Sequence, residues 1–289
     1  MIGKAACRGA ATIVNAIATG RGAAFGVSLE IDALVNLEPG QGELEFSGSD
    51  EGRELAEACV RSIARRAGHA KGVHGEICVK SEIPISRGLK SSSAASNAIS
   101  LASSRALDAR LSSMELVLAG VEESIKAGVT VTGAFDDASA CFLGGVIVTD
   151  NRTFSILSRG ELDPDLEVLF HVPEKQIRKA DVKKMDFSGI RKEIERAHDL
   201  ALRGEYLKAL ELNSKAYAKI LDVSEDIAHL ARKNGALAAG ISGTGPATTI
   251  ICGRGETSAI AEAVKDHGGT ILRTHVNDTS AEEVIPRLL

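Results

Sequence analysis

The chain has 289 residues, of which 44% are hydrophobic and 25% are charged, and its formal net charge is −5 at pH 7. This length and composition indicate a globular protein with a sizeable core, and the negative charge argues against a general binder of nucleic acid or anionic membranes. With 3% aromatic residues and no Trp, the chain offers few surfaces on which bases could stack.

The five cysteines are scattered without a C-x-x-C pair, which argues against a zinc site or a disulfide framework. We expect most of them to be small core residues in a reducing compartment. Charged residues interrupt each hydrophobic segment, and no charged-then-apolar signal opens the chain. These patterns predict a cytoplasmic protein without a membrane span.

Alternating apolar and polar residues predict a half-buried strand over 27–38, and shorter alternations predict strands at 43–46 and 76–80. A helical pattern over 55–67, which Gly68 ends, lies between the two shorter strands. The spacing of these elements is typical of an α+β sheet.

The most informative stretch is 84–95, which follows the strand at 76–80 and opens a predicted helix that runs to about Leu107. Gly88 can adopt backbone angles closed to other residues, and three consecutive serines would leave N–H groups and hydroxyls at the positive end of a helix dipole. An ordinary capped helix is the alternative. Because the pattern is not that of a Walker A loop, we interpret it as a different kind of phosphate loop.

A second helix is predicted from Ser112, where Ser112-x-x-Glu115 forms a capping box, to near Gly128. A polar turn is then predicted over 130–137. It leads through a pair of glycines to an apolar strand at 146–148.

Asp136 and Asp137 are adjacent and lie between apolar neighbours, which is unusual for a plain surface loop; a solvated turn is the alternative. One carboxylate could cap the following segment while the other faces a substrate hydroxyl. Phosphoryl transfer requires positioned phosphates, Mg²⁺, a carboxylate near the attacking hydroxyl and a cation near the developing charge.

The chain becomes polar and rich in turns over 150–165, so we place a boundary there and predict domains at 1–155 and 156–289. The second domain is predicted to contain, in order, a strand at 167–172, helices at 188–203, 205–221 and 224–233, strands at 236–241 and 246–252, a helix at 256–267 and a strand at 270–276. A ferredoxin-like fold accommodates that order.

A second glycine-rich turn, Gly-Ile-Ser-Gly-Thr-Gly-Pro-Ala, occupies 240–247 between two predicted strands. A hairpin turn is the alternative interpretation. Successive glycines expose backbone N–H groups that can form a nest for an anion. Two such turns in one chain strengthen the case for a phosphate ligand.

Residues 84–95 resemble the central ATP-binding motif of the GHMP kinases, the superfamily of galactokinase, homoserine kinase, mevalonate kinase and phosphomevalonate kinase. Residues 240–247 resemble the C-terminal glycine motif of the same superfamily. Asp137 stands seven residues before Gly144-Gly145, as the catalytic Asp of mevalonate kinase-like members does before their glycine pair. Within the superfamily, residues 11–26 and 129–138 are similar to the archaeal type of shikimate kinase.

The resemblance implies the GHMP kinase fold, in which a domain like the second domain of ribosomal protein S5 precedes a ferredoxin-like C-terminal domain. It implies phosphorylation of the 3-hydroxyl of shikimate, a step of aromatic amino-acid biosynthesis, with ATP and Mg²⁺ as cofactors. Homoserine or mevalonate kinase activity is the alternative within the superfamily, and a non-catalytic nucleotide- or RNA-binding module is a more distant one. Neither nucleic acid nor membrane is an expected partner, and the oligomeric state stays open.

The resemblance also implies roles for single residues. Asp137 would accept or orient the proton of the shikimate hydroxyl, with Asp136 as the second choice. The expected ATP contacts are Pro84, Gly88, Leu89, Lys90, Ser91, Ser92, Ser93, Ala94, Thr244 and Gly245, and the expected shikimate contacts are Asn15, Arg21, Ser242 and Gly243.

The expected metal ligands match the superfamily pattern less well than the other site residues do. Ser92 would ligate Mg²⁺, but the position of the usual superfamily Glu is Lys126 here, so Glu122 or Glu123 would substitute, and we choose Glu123. The Lys and Arg residues within 175–192 form either a lid over the phosphates or a solvated helical face, and we favour the solvated face.

Overall fold

The computed structural model describes residues 1–85, 87–130, 132–175, 177 and 179–287. Four residues of the predicted motifs lie outside these ranges: Ser86 of the phosphate loop, Val131 of the polar turn, and Gln176 and Arg178 of the basic segment. In the described part of the chain, no helix is both long and apolar enough to cross a membrane.

A sheet of six strands forms the first half of the described chain. In chain order these strands are β1 (Ile2–Val14), β2 (Arg21–Pro39), β3 (Leu44–Ser47), β4 (Val73–Ser81), β5 (Val146–Asp150) and β6 (Ser155–Gly160). The long strand β2 pairs with β1 along one edge and with β4 and β5 along the other, in each case antiparallel. Strand β3 runs parallel to β4, and β6 pairs with β5.

Four helices accompany this sheet: α1 (Arg53–Arg66), α2 (Ser91–Ala106), α3 (Ser113–Lys126) and α4 (Phe135–Leu143). Helix α2 packs on β1 and β2, and its many small residues are largely buried. The predicted capping box of α3 is confirmed, because the Ser112 hydroxyl accepts from the Glu115 N–H while the Glu115 carboxylate accepts from the Ser112 N–H.

The predicted strands at 27–38, 43–46 and 76–80 and the helices that begin near Leu55 and after Lys90 are confirmed. Strand β1 was not predicted, because both of its faces are buried over most of its length and the apolar–polar alternation is therefore weak. The predicted polar turn over 130–137 is wrong in its second part, since α4 begins there. Both aspartates belong to the first turn of α4, where the helix dipole favours acidic side chains.

The second half contains a four-stranded antiparallel sheet in the order β10-β7-β9-β8. Its elements are β7 (Glu167–Val172), α5 (Lys179–Val182), α6 (Arg191–Leu202), α7 (Tyr206–Leu221), α8 (Asp226–Lys233), β8 (Ala238–Ile241), β9 (Thr248–Cys252), α9 (Thr257–Val264) and β10 (Thr270–His275). The outer strands flank the first and third in the ferredoxin-like manner, so the α+β class and the ferredoxin-like second half are confirmed.

The division into domains at 1–155 and 156–289 stays a prediction. Strand β6 lies across that point and pairs within the first sheet.

Four of the five cysteines are buried free thiols, as predicted for core residues: Cys7, Cys59, Cys141 and Cys252. Cys78 is a partly exposed free thiol.

After β10 the chain returns to the first sheet, and we call residues 276–287 the C-terminal segment. The carbonyl oxygen of Asn277 accepts from the Gly145 N–H at 2.8 Å, at the end of α4. Further along, the Arg287 guanidinium donates to the Glu30 carboxylate, with its closest contact at 2.7 Å. The side chain of Glu30 is fully buried, so this ion pair attaches the end of the C-terminal segment to β2.

Two buried histidines predict how stability depends on pH. Nε2 of His198 lies 3.2 Å from the Thr149 carbonyl oxygen, and Nε2 of His171 lies 2.7 Å from the Gly268 carbonyl oxygen. Burial lowers the pKa of both imidazoles below the ordinary value of 6.5. Folding therefore favours the neutral rings, and their contribution to stability is complete above pH 6.5 and is lost as the pH falls toward the folded pKa.

We expect the free energy of unfolding to fall more steeply on acidification in the wild type than in the His171→Gln/His198→Gln variant. Urea denaturation at about pH 7.5 and about pH 5.5 would measure the difference. The comparison isolates the two imidazoles, because every other titrating group is common to both proteins. Equal pH dependence in the two proteins would contradict the prediction.

Candidate active site

A cavity of about 900 Å³ brings together the segments that the sequence analysis selected. The predicted site residues that line it are Asn15, Pro84, Gly88, Leu89, Lys90, Ser91, Ser92, Ser93, Asp136, Asp137, Gly243, Thr244 and Gly245. They come from the residue after β1, the loop before α2 and its first turn, the start of α4, and the turn between β8 and β9. Four other predicted residues, Arg21, Ala94, Glu123 and Ser242, do not line it.

The phosphate loop ends at the N-terminus of α2. Gly88 has a φ of +82°, and a Cβ added to it would lie 2.4 Å from the Ser242 carbonyl oxygen, so only glycine fits this position. Lys90 is the N-cap residue, in the left-handed region, and no side chain caps the helix. The alternative of an ordinary Ser-capped helix is therefore wrong, and the N–H groups of the first turn are available to an anion.

The glycine turn at 240–247 is docked against this loop. The Ser242 hydroxyl donates to the Gly88 carbonyl oxygen at 2.9 Å. The Gly243 N–H donates to the Thr12 hydroxyl at 2.8 Å, and the Asn15 amide donates to the Gly243 carbonyl oxygen at 2.7 Å. Ser242 is buried behind the cavity wall, while Asn15 both lines the cavity and holds the turn in place.

Lys90 and Asp137 form an ion pair inside the cavity. Nζ of Lys90 lies 3.0 Å from Oδ2 of Asp137, and the two side chains are 8% and 13% exposed. Oδ1 of Asp137 has no hydrogen-bond partner in the described part of the chain. The pair joins the start of α2 to the start of α4, and it leaves the buried Oδ1 of Asp137 without a hydrogen bond among the described residues.

The neighbouring carboxyl, Asp136, has a different environment. Its Oδ1 accepts from the Asn151 amide at 2.8 Å, and the Thr149 hydroxyl donates to the Asn151 Oδ1 at 2.7 Å, which fixes the orientation of that amide. Burial and, after it, the charge of Asp137 raise the pKa of Asp136 to about 7. Adjacent in sequence, the two aspartates therefore differ in chemistry, since one faces a cation and the other faces an amide.

Arg21 lies at the start of β2, outside the cavity lining. Its Nε lies 3.5 Å from Oδ2 of Asp150, and the same carboxylate also accepts from Arg152. These two hydrogen-bonded guanidinium groups, Arg152 foremost, hold the pKa of Asp150 well below its usual range. The structure thus places Arg21 in a surface ion-pair group rather than with the other predicted substrate contacts.

Glu123, the predicted metal ligand, is also apart from the cavity. Its Oε1 accepts from Lys126 at 2.8 Å and lies 3.5 Å from the Arg65 guanidinium. Among the described residues, no group of three or more His, Cys, Asp or Glu side chains is arranged to hold a metal ion. Ser92, the other predicted ligand, does line the cavity.

The sequence analysis missed the apolar end of the cavity. Phe46, Leu55, Val79 and Ile99 line this end, and the Arg53 guanidinium lies over the Phe46 ring, 5.6 Å from its centroid. These residues belong to four different elements, so only the fold reveals that they form one wall. Asn151 was also missed, because a single Asn in a polar turn carries no distinguishing signal.

Comparison with known proteins identifies the family. The models of the GHMP kinases N terminal domain and of the GHMP kinases C terminal match residues 54–145 and 181–270. The chain is 40% identical to a shikimate kinase of Methanosarcina acetivorans over 284 residues, which cover 96% of this chain and 95% of that protein. It is 38% identical to a shikimate kinase of Pyrococcus furiosus over 91% of this chain and 95% of that protein.

Solved structures give the same fold at low sequence identity. Homoserine kinase from Cytophaga hutchinsonii matches with a TM-score of 0.76 at 17% identity, over 96% of each chain. L. major mevalonate kinase in complex with R-mevalonate matches with a TM-score of 0.76 at 18% identity, over 96% of this chain and 97% of that one. The predicted GHMP kinase fold is confirmed. The chain belongs to the GHMP kinases and, among them, to the family of the archaeal shikimate kinases.

Proposed function

We propose that the chain transfers the γ-phosphoryl group of ATP to the 3-hydroxyl of shikimate. The observation that carries the proposal is the 40% identity to an archaeal shikimate kinase over 96% of the chain. GHMP kinases use ATP, and a cavity of about 900 Å³ is large enough for a nucleotide beside a small acceptor.

The phosphates of ATP would lie at the N-terminus of α2. The N–H groups of its first turn and the hydroxyls of Ser91, Ser92 and Ser93 supply donors there, and the helix dipole favours negative charge. Thr244 and Gly245 line the cavity from the docked glycine turn. Lys90 places an ammonium group beside the phosphates, where it would stabilise charge on the transferring group.

Asp137 would accept or orient the proton of the attacking hydroxyl. In the proposed step the shikimate oxygen forms a bond to the γ-phosphorus, the bond to the β,γ-bridging oxygen breaks, and the hydroxyl proton passes to the Asp137 carboxylate. ADP leaves with the electron pair of the broken bond. The 3.0 Å contact with Lys90 holds Asp137 in the cavity during this transfer.

The donors present fit a Mg²⁺ ion that is bound mainly through the nucleotide. Mg²⁺ prefers oxygen ligands and is usually held by one or two protein groups together with phosphates and waters. The Ser92 hydroxyl and the Oδ1 of Asp137, which has no partner among the described residues, would be the protein ligands. When bound, the ion would neutralise charge on the β- and γ-phosphates.

The proposed setting is the cytoplasm, where thiols stay reduced. The five cysteines are free, as a reducing compartment requires.

The proposed partners of the protein are the two small substrates of the proposed reaction, ATP and shikimate.

A coupled assay of ADP release with shikimate, homoserine and mevalonate tests the function. Of the three acceptors, we expect ADP release from ATP only with shikimate. The Asp137→Asn variant provides the matched blank for contaminating kinases. Turnover with homoserine or mevalonate but not shikimate would overturn the proposed acceptor and leave the superfamily intact. Salt-sensitive RNA binding without ATP turnover would support the non-catalytic alternative instead.

A further inference from the structure

Among the described residues, two polar contacts join α2 and its N-cap residue to α4, which carries the aspartates. The first is the ion pair between Lys90 and Asp137 inside the cavity. The second lies seven residues further along α2, roughly 10 Å along the helix axis, where the Asn97 amide donates to the Ala138 carbonyl oxygen at 2.8 Å. Ala138 directly follows Asp137 in the chain.

The Asn97 hydrogen bond fixes the separation of the two helices more tightly than the Lys90–Asp137 ion pair does. Asn97 is completely buried, and its short side chain bonds directly to the backbone of α4. The Lys90 side chain has four rotatable bonds and can keep contact with Asp137 over a range of helix separations. Behind Asn97, the Cys7 thiol donates to the Cys141 carbonyl oxygen at 3.2 Å, so the next turn of α4 is also attached to the sheet.

We propose that Asn97 is a positioning residue that sets the distance between the phosphates bound on α2 and the Asp137 carboxylate on α4. The inference rests on the kinase function proposed above. Proton transfer needs the carboxylate within hydrogen-bond reach of the acceptor hydroxyl, and a misplacement of about 1 Å can cost about 10²-fold in rate. A single buried hydrogen bond from the middle of α2 to the first turn of α4 would hold that geometry without contacting a substrate.

Two variants test the contact. Asn97→Leu keeps the number and branching of the side-chain heavy atoms and removes the donor. Asn97→Asp keeps the size and shape but places an acceptor against the Ala138 carbonyl oxygen. We expect kcat to fall about 10–100-fold while KM for ATP and for the acceptor changes less than about twofold. Ser103→Ala is the matched control, since Ser103 is fully buried on the same helix and its hydroxyl has no hydrogen-bond partner among the described residues.

A double-mutant cycle with Asp137→Asn separates positioning from general damage. If Asn97 acts through Asp137, Asn97→Leu should slow the single-turnover rate in the wild-type background and leave it nearly unchanged in the Asp137→Asn background. An equal loss in both backgrounds, or wild-type kcat in both Asn97 variants, would overturn the proposal. Circular dichroism melting curves of all variants establish that each is folded at the assay temperature.

The cycle also distinguishes this inference from the proposed function. It is run with whichever acceptor the wild type phosphorylates. If the wild type does not phosphorylate shikimate, only the proposed acceptor is wrong. If the two substitutions lower the rate additively with an acceptor that is phosphorylated, only the positioning role of Asn97 is wrong.

Discussion

An Asp137→Asn enzyme is expected to turn over about 10²–10⁴-fold more slowly than the wild type, with KM values for both substrates close to normal. The amide keeps the shape of the side chain but cannot accept the hydroxyl proton. It also removes the negative partner of Lys90, which lies 3.0 Å away. Steady-state kinetics in the coupled ADP-release assay measure both parameters.

Asp136→Asn is the matched control for this experiment, because it makes the same chemical change at the neighbouring position. Asp136 is buried and accepts a hydrogen bond from Asn151, so we expect a smaller loss of kcat than at Asp137. The reverse result, with near-normal turnover in Asp137→Asn and a large loss in Asp136→Asn, would exchange the two roles.

Gly88→Ala is expected to raise KM for ATP at least about tenfold. Alanine in the left-handed region costs roughly 1–2 kcal/mol, and at Gly88 its Cβ would lie 2.4 Å from the Ser242 carbonyl oxygen. Relief of that contact requires the phosphate loop to move away from the glycine turn, and the phosphate-binding N–H groups would move with it. Isothermal titration with a non-hydrolysable ATP analogue gives the affinity directly, and the ADP-release assay gives KM.

Gly255→Ala controls for the loss of a glycine. Apart from its chain neighbours, no described residue has an atom within 4 Å of a Cβ added there, and its φ is outside the left-handed range. Stability should therefore change by no more than about 0.5 kcal/mol. Nucleotide affinity should be unchanged. Equal nucleotide affinity in Gly88→Ala and the wild type would contradict the assignment of 84–95 as the phosphate loop.

The elements that the sequence predicts well are those with a clear period. The alternation over 27–38 and the capping box of α3 are local signals, and the structure has a strand and a helix at those places. Strand β1 and helix α4 lack such signals. β1 is buried on both faces over most of its length, and α4 has only nine residues and opens with Phe-Asp-Asp, which also suits a turn.

The site residues also differ in how well the sequence predicts them. Gly88, the serines and Asp137 lie in short motifs whose chemistry is visible in the sequence, and the structure brings them to one cavity. Asn97 and Asn151 act through contacts with residues 41 and 15 positions away in the chain. Such contacts depend on tertiary packing, which a single sequence does not encode in any local pattern. Arg21 is the opposite case. Its place in a motif predicted a substrate contact, but in the structure it forms an ion pair with Asp150.

During synthesis, one buried charge of the first sheet gains its closest partner late. Glu30 lies in β2, and the guanidinium that binds its buried carboxylate belongs to Arg287, 257 residues later. At translation rates of 5–20 residues per second, that interval is roughly 10–50 seconds. Arg8 also lies near this carboxylate, with its Nε 3.9 Å from Oε2, but Arg287 makes the closer contact, at 2.7 Å. Because a buried carboxylate is costly without a close cation, the charge in β2 gains its closest partner only after residue 287 has been made.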